Sequence, residues 1–169
     1  MEAEGTIVGQ EGKRLLAVIR IKGRVNVKKE EERTLQLLRL TRKYSMALYP
    51  SDLPGLEGML NKVRHLVTWG EIDQGTLEIV LRKRGRLLGN RRISDEAVKR
   101  LFGLNSISEL AEKITRGEIK LHEQDKIKPV FRLHPPKGGF KKSTRREYKV
   151  GGELGYRGSS INELILRMA

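Results

Sequence analysis

The chain reads as an α+β protein: a small antiparallel-type sheet laid down in the order βαβαβ with two helices on one face, then a mainly helical extension carrying basic loops. Up to residue 72, apolar residues alternate between short strand-length runs and stripes at helical spacing; beyond it, helical stripes dominate. The third observation is charge, since the basic residues concentrate in two segments of the extension.

Residues 15–21 predict the first strand, because an unbroken apolar run from Leu15 gives way to the alternation Ile19, Arg20, Ile21, Lys22. Gly23 turns the chain. Asn26 suits a helix N-cap, and Glu30, Glu31 and Glu32 then fall in a first turn, where the helix dipole favours carboxylates. Thr34, Leu35 and Leu38 continue the buried stripe towards Leu40. A second strand is expected over 44–49, closed by Pro50. Asp52 and Pro54 signal the second helix, in which Leu56, Met59, Leu60, Val63, Leu66 and Val67 recur at helical spacing. A third strand follows over 67–72. Short connections with right-handed crossovers place both helices on one face. The opposite face, with Arg20 and Lys22 near its edge, is expected to stay open.

In the extension, Asp73 caps a helix through Leu77, Val80 and Leu81 that stops at Gly85, and Ser94 opens another that stops at Gly103. Ser106 with Glu109 spells a capping box ahead of Ile107, Leu110, Ala111 and Ile114. Pro129 to His134 reads as extended, and the Pro-Pro and Gly-Gly pairs beyond it forbid regular structure. The basic stretch to Lys149 is expected to be a non-helical loop. Ser160 with Glu163 spells a second box before a final helix through Ile161, Leu164, Ile165 and Met168. The expected division is a flexible acidic segment at 1–12, a core at 13–72, and an extension at 73–169 packed on it.

Thirty-five Lys and Arg stand against 21 Asp and Glu, a formal charge of +14. Arg82, Lys83, Arg84, Arg86, Arg91 and Arg92 lie in one stretch with no acid, and residues 126–149 hold nine bases against Glu147 alone. These two stretches carry the whole excess. Crowding like charges in a folded chain costs self-repulsion that a bound phosphate backbone relieves, so a polyanion is the expected partner. Arg is the better bidentate phosphate ligand, and Gly85, Gly89 and Asn90 let the backbone approach closely. In 131–142, Arg132, Lys137, Lys141 and Lys142 accompany Phe140 on a frame suited to a groove in folded RNA.

Other classes fall away. With no cysteine, disulfides, thiolate metal sites and cysteine nucleophiles are excluded. The longest uncharged runs are eight residues, 44–51 and 101–108, too short to span a membrane. The first twelve residues hold three glutamates and no base, unlike an export signal. No phosphate-binding loop, nucleophile elbow or zinc-protease motif occurs, and the three histidines lack metal-ligand spacing. Neither a catalytic residue, a metal, a cofactor nor a small-molecule substrate is expected. No helix-turn-helix pattern points to DNA. Trp69, in the third strand, is expected in the core or on a sheet face.

Five strings sharpen this reading: IRIKGRVNV at 19–27, GMLNKVRHLVTWGEI at 58–72, RKRGRLLGNRR at 82–92, FRLHPPKGGF at 131–140 and GGELGYRG at 151–158. In order and spread from the first strand to the C-terminus, they resemble the archaeal form of the large-subunit ribosomal protein L thirty family, whose eukaryotic counterpart is called L seven. The resemblance covers about residues 13–169. It implies a ferredoxin-like βαβαβ core with a C-terminal extension, and a non-enzymatic role in assembling and holding the large ribosomal subunit in the cytoplasm. The implied partners are 23S-type rRNA, with 5S rRNA as an open alternative neighbour, and adjoining ribosomal proteins. The candidate RNA contacts are Arg20, Lys22 and Arg24 after the first strand, and Lys62 and His65 on the second helix. Arg82, Lys83, Arg84, Arg86, Asn90, Arg91 and Arg92 supply the first basic segment. Arg132, His134, Lys137, Lys141, Lys142, Arg145 and Arg146 supply the second, and Tyr156 and Arg157 the C-terminal motif. An RNA chaperone outside the ribosome and an RNA-processing enzyme are the alternatives; the latter needs a carboxylate cluster beside the bases, and none is seen in the sequence.

Overall fold

Alternation along the first strand decides the architecture. In the computed structural model, which describes residues 14–169, β1 (Leu15–Arg20) turns Leu16 and Val18 to one face and Ala17 and Ile19 to the other. The expected acidic segment at 1–12 lies outside the described residues.

On the first face pack α1 (Lys29–Leu37) and α2 (Leu56–Lys62), burying Leu35, Leu56, Leu60 and Val63 against Ala47 and Tyr49 of β2 (Ser45–Pro50) and Val67 and Trp69 of β3 (Val67–Glu71). This is the βαβαβ core expected from the pattern. Trp69 is 9% exposed, as a sheet-face residue should be.

The other face is not open, which corrects the expectation. Ala17, Ile19, Met46 and Leu48 form one core with residues of α3 (Gln74–Arg84), α4 (Asp95–Phe102), α5 (Ile107–Thr115) and α6 (Ile161–Met168). A strand that is apolar on both sides needs cover on both, and each Leu or Ile fully buried there contributes about 1.5–3 kcal/mol.

The extension also widens the sheet. β4 (Val130–Arg132), β5 (Ser143–Glu147) and β6 (Gly152–Tyr156) give the order β4-β2-β1-β3-β6-β5. β1 is antiparallel to β2 and β3, β4 is antiparallel to β2, and β6 is parallel to β3 and β5. The loop expected up to Lys149 thus contains an edge strand and a 3-10 turn, Tyr148–Val150. Gly152 makes the β5–β6 approach possible, since a Cβ there would collide with the Arg146 carbonyl.

Local signals fared unevenly. Asp73, Ser94 and Ser106 accept from the backbone N–H of Thr76, Ala97 and Glu109 at 2.7, 3.1 and 3.2 Å, as capping residues should. Asn26 is not the cap of α1; it takes φ 62° in the preceding turn, and the helix starts after Lys28, whose N–H donates to Glu31 Oε1 at 3.1 Å. α2 starts after Gly55 and ends at Lys62, with Val63 and Leu66 continuing the apolar stripe in a turn. Ser160 does not cap α6: its hydroxyl pairs with that of Tyr148 at 2.9 Å.

Candidate nucleic-acid interface

Register places the basic loops. Arg20 is level with Val67, and Ser45 with Arg132, so β1 and β4 end where β2 and β3 begin. The connection from β4 to β5 starts at this same end of the sheet, where the Leu133 N–H donates to the Tyr44 carbonyl at 3.2 Å and Phe140 packs against the Tyr44 ring.

The two basic segments meet at the β4 edge. Leu87 bridges Ile127, and the Lys128 N–H donates to the Arg86 carbonyl at 2.8 Å. Within the first segment the Leu87 N–H donates to the Arg91 carbonyl at 2.7 Å, and the tight turn between them uses Gly89 at φ 91° and Asn90 at φ 67°. Asn tolerates this left-handed conformation better than most side chains.

A cleft of about 420 Å³ opens beside this junction, lined by Arg39, Thr41, Arg42, Ser45, Arg84, Arg86, Asn90, Lys128, Pro129, Val130 and Arg132. It gathers six cations and no carboxylate. Arg84, Arg86, Asn90 and Arg132 are expected from the sequence. Lys128 belongs to the second basic segment; Arg39 and Arg42 are not expected, and lie in the α1–β2 connection, outside both basic segments. Arg39, at φ 65°, donates Nη1 to the His122 carbonyl at 3.2 Å. Lys128 Nζ reaches Asn90 Oδ1 at 3.5 Å.

The remaining candidates divide into outward and inward groups. Arg24, Lys62, Arg82, Lys83, Arg91, Arg92, Lys137, Lys141, Lys142, Arg145 and Arg146 are exposed and Lys22 is half-buried. Arg82 pairs with Glu78, Lys141 with Glu163, and His65 Nε2 with Glu31 at 2.7 Å. Tyr156 is 52% exposed, and its hydroxyl donates to Glu71 Oε2 at 2.7 Å. Cations at the end of α3 are also favoured by the helix dipole, which gives Arg82, Lys83 and Arg84 a local reason to stand together.

Three candidates are engaged by the fold itself. Arg20 is fully buried, and its five N–H groups are spent on the chain itself: Nε on the Lys22 carbonyl, Nη1 on Leu40 and Glu32, Nη2 on Gly23 and Glu32. The side chain of Arg157 is 9% exposed, pairs with buried Glu153 at 2.8 Å, and stacks its guanidinium over Tyr148. His134 turns its ring nitrogens to the carbonyls of Pro135 and Ala169, each at 2.7 Å, tying the end of α6 to the β4–β5 connection. Arg20 and Arg157 turn inward to hold the fold, and half-buried His134 links two segments at the surface. No sequence pattern distinguishes such a base from a surface one.

A match to the family model for ribosomal protein L30p/L7e covers residues 16–67, from β1 to the first residue of β3. The large ribosomal subunit protein uL30 of Hyperthermus butylicus is 56% identical over 99% of this chain and 97% of its own length. The chain belongs to the uL30 family. The uL30 proteins of Ignicoccus hospitalis and Aeropyrum pernix are 54% and 53% identical, over 92% and 91% of this chain and 98% of each relative. The match to these uL30 proteins runs through the extension, so it takes in both basic segments and the cleft they build. Among the described residues, no helix is long and apolar enough to cross a membrane.

Proposed function

We propose that this chain is a structural constituent of the large ribosomal subunit and holds folded large-subunit rRNA at the basic end of its sheet, with the β4-edge cleft at the centre of the contact. The observation that carries the reading is the cleft itself: six cations from three stretches of chain converge with no acid among them. Phosphate neutralisation supplies most of the affinity of such a surface, and RNA shape most of its selectivity. The role is non-enzymatic and cytoplasmic, and the outward cations at Lys22, Arg24, Lys62 and residues 137–146 extend the footprint. A finer placement, on 23S-type rRNA and near 5S rRNA, rests on the family expectation and is read out by cross-linking.

The test is sedimentation of native lysate with mass spectrometry across the ribosomal fractions, before and after a high-salt wash. Stoichiometric retention in washed large subunits, with cross-links from the cleft to 23S-type rRNA, is the expected result. A chain that sediments free of subunits overturns the reading.

A further inference from the structure

The cleft is concave, and that constrains what enters it. A duplex carries its phosphates on a convex surface, which can lie across the mouth of a cavity of about 420 Å³ but cannot descend into it. A cavity of that size is in the range of sites that enclose one small molecule.

Its lining also carries charge that the described residues do not compensate. None of the six cations makes an ion pair among the described residues. Arg84 Nε is shut off from solvent and has no hydrogen-bond partner, an uncommon and costly state for a charged donor. Arg132 stands in register with Ser45, so the guanidinium and the hydroxyl share one sheet face. Ser45 is only 3% exposed, and it adds to the lining, with Asn90, the neutral hydrogen-bonding groups that a ribose hydroxyl or a base edge requires.

We propose that the cleft seats a single phosphodiester and its ribose, taken from an RNA strand that turns inward at an unpaired nucleotide. This rests on the rRNA-binding reading above and specifies the RNA feature that the site selects. Arg84 and Arg132 bind the phosphate, and Asn90 and Ser45 meet the sugar or base. The exposed cations outside the cleft carry the flanking backbone.

The experiment uses the full-length protein and two probes, a 5′-phosphorylated uridine tetranucleotide and a short blunt RNA duplex. The Nε–Hε resonance of Arg84 is followed by NMR, and affinity by titration. The tetranucleotide is expected to shift that resonance saturably and to bind R84Q/R132Q about tenfold more weakly, a loss of about 1.4 kcal/mol. K99Q/R100Q removes the same charge from the exposed face of α4 and is expected to change affinity less than about twofold. Amide spectra confirm that both variants are folded. Equal losses in the two variants, an unmoved Arg84 resonance at saturation, or a duplex that displaces the tetranucleotide at equal concentration overturns the proposal. The seat is measured on the isolated protein, so its failure is distinct from that of the ribosomal reading, which is decided by sedimentation.

Discussion

Arg20 and Glu32 meet edge to edge: Nη1 donates to Oε2 and Nη2 to Oε1, each at 3.0 Å, joining the end of β1 to the first turn of α1. The guanidinium is wholly buried while the carboxylate keeps 22% of its side chain exposed. Planar, doubly hydrogen-bonded pairs of this kind fix geometry as well as supply energy. Arg20 is therefore the bolt of the core.

Removing the carboxylate charge strands the guanidinium. Glu32→Gln is expected to destabilise the protein by about 3 kcal/mol, the lower end for breaking a buried pair, because three backbone carbonyls still accept from Arg20. The hydrogen bond from Arg20 holds the Glu32 carboxyl below its ordinary value. The stabilisation is accordingly complete above that ordinary value and lost as pH falls through the lowered one. Urea titrations from neutral pH into the acid range should show the gap between wild type and E32Q closing as pH falls; a constant gap would refute this.

Gly70 of β3 lies so close to the Gly158 carbonyl that a Cβ would collide with it, and would also sit 3.0 Å from Ile161 Cβ. Gly70→Ala is expected to cost about 1–3 kcal/mol by forcing the start of α6 off the sheet. Gly58→Ala, in α2 with nothing near its Cβ position, is the contrast: a helix-interior Gly replaced by Ala gains roughly 0.5–1 kcal/mol. Thermal melts of the two variants should move in opposite directions.

Tyr156 reports on the outer edge of the motif at 151–158. The hydrogen bond to Glu71, reinforced by burial, pushes its pKa up to about 12. In Glu71→Gln the negative acceptor is gone, and the phenol should titrate nearer the ordinary 10.0. Burial raises the Tyr49 phenol too, so spectrophotometric titration is read as a difference: Glu71→Gln should bring one phenol to lower pH and leave the late-ionising Tyr49 unmoved.

Arg42, outside both basic segments, and Lys128, inside the second, both line the cleft. If each neutralises a phosphate, R42Q/K128Q lowers the slope of log affinity against log salt by about 1.4 to 1.8, at about 0.7 per contact on single strands and 0.9 on duplex. Filter binding to large-subunit rRNA over a salt series measures the slope, and an unchanged slope removes both residues from the contact.

The apolar pattern made the core elements legible because burial imposes its period on the sequence: Leu16 and Val18 against Ala17 and Ile19 already spelled a strand covered on both faces. The expectation of an open face failed by giving Arg20 and Lys22 more weight than that alternation. β5 and β6 were missed for a different reason. Ser143–Glu147 is a polar edge strand and Gly152–Tyr156 carries two glycines, so neither shows the alternation that betrays a half-buried strand.

Family, βαβαβ order, the helices of the extension and the two basic segments are all legible along the chain, because periodicity and local charge are properties of neighbours in sequence. Which bases face outward was settled by packing. Arg20 turned in because Glu32 and the Leu40 carbonyl, brought from beyond its own strand, met it there, and Arg157 because the sheet buries its near neighbour Glu153. Arg39 and Arg42 joined Arg84 and Arg132 because pairing β4 with β2 brought the α1–β2 connection beside the second basic segment. A side chain's partners are set by the packing of elements far apart in sequence, and that information exists only once the chain has closed on itself.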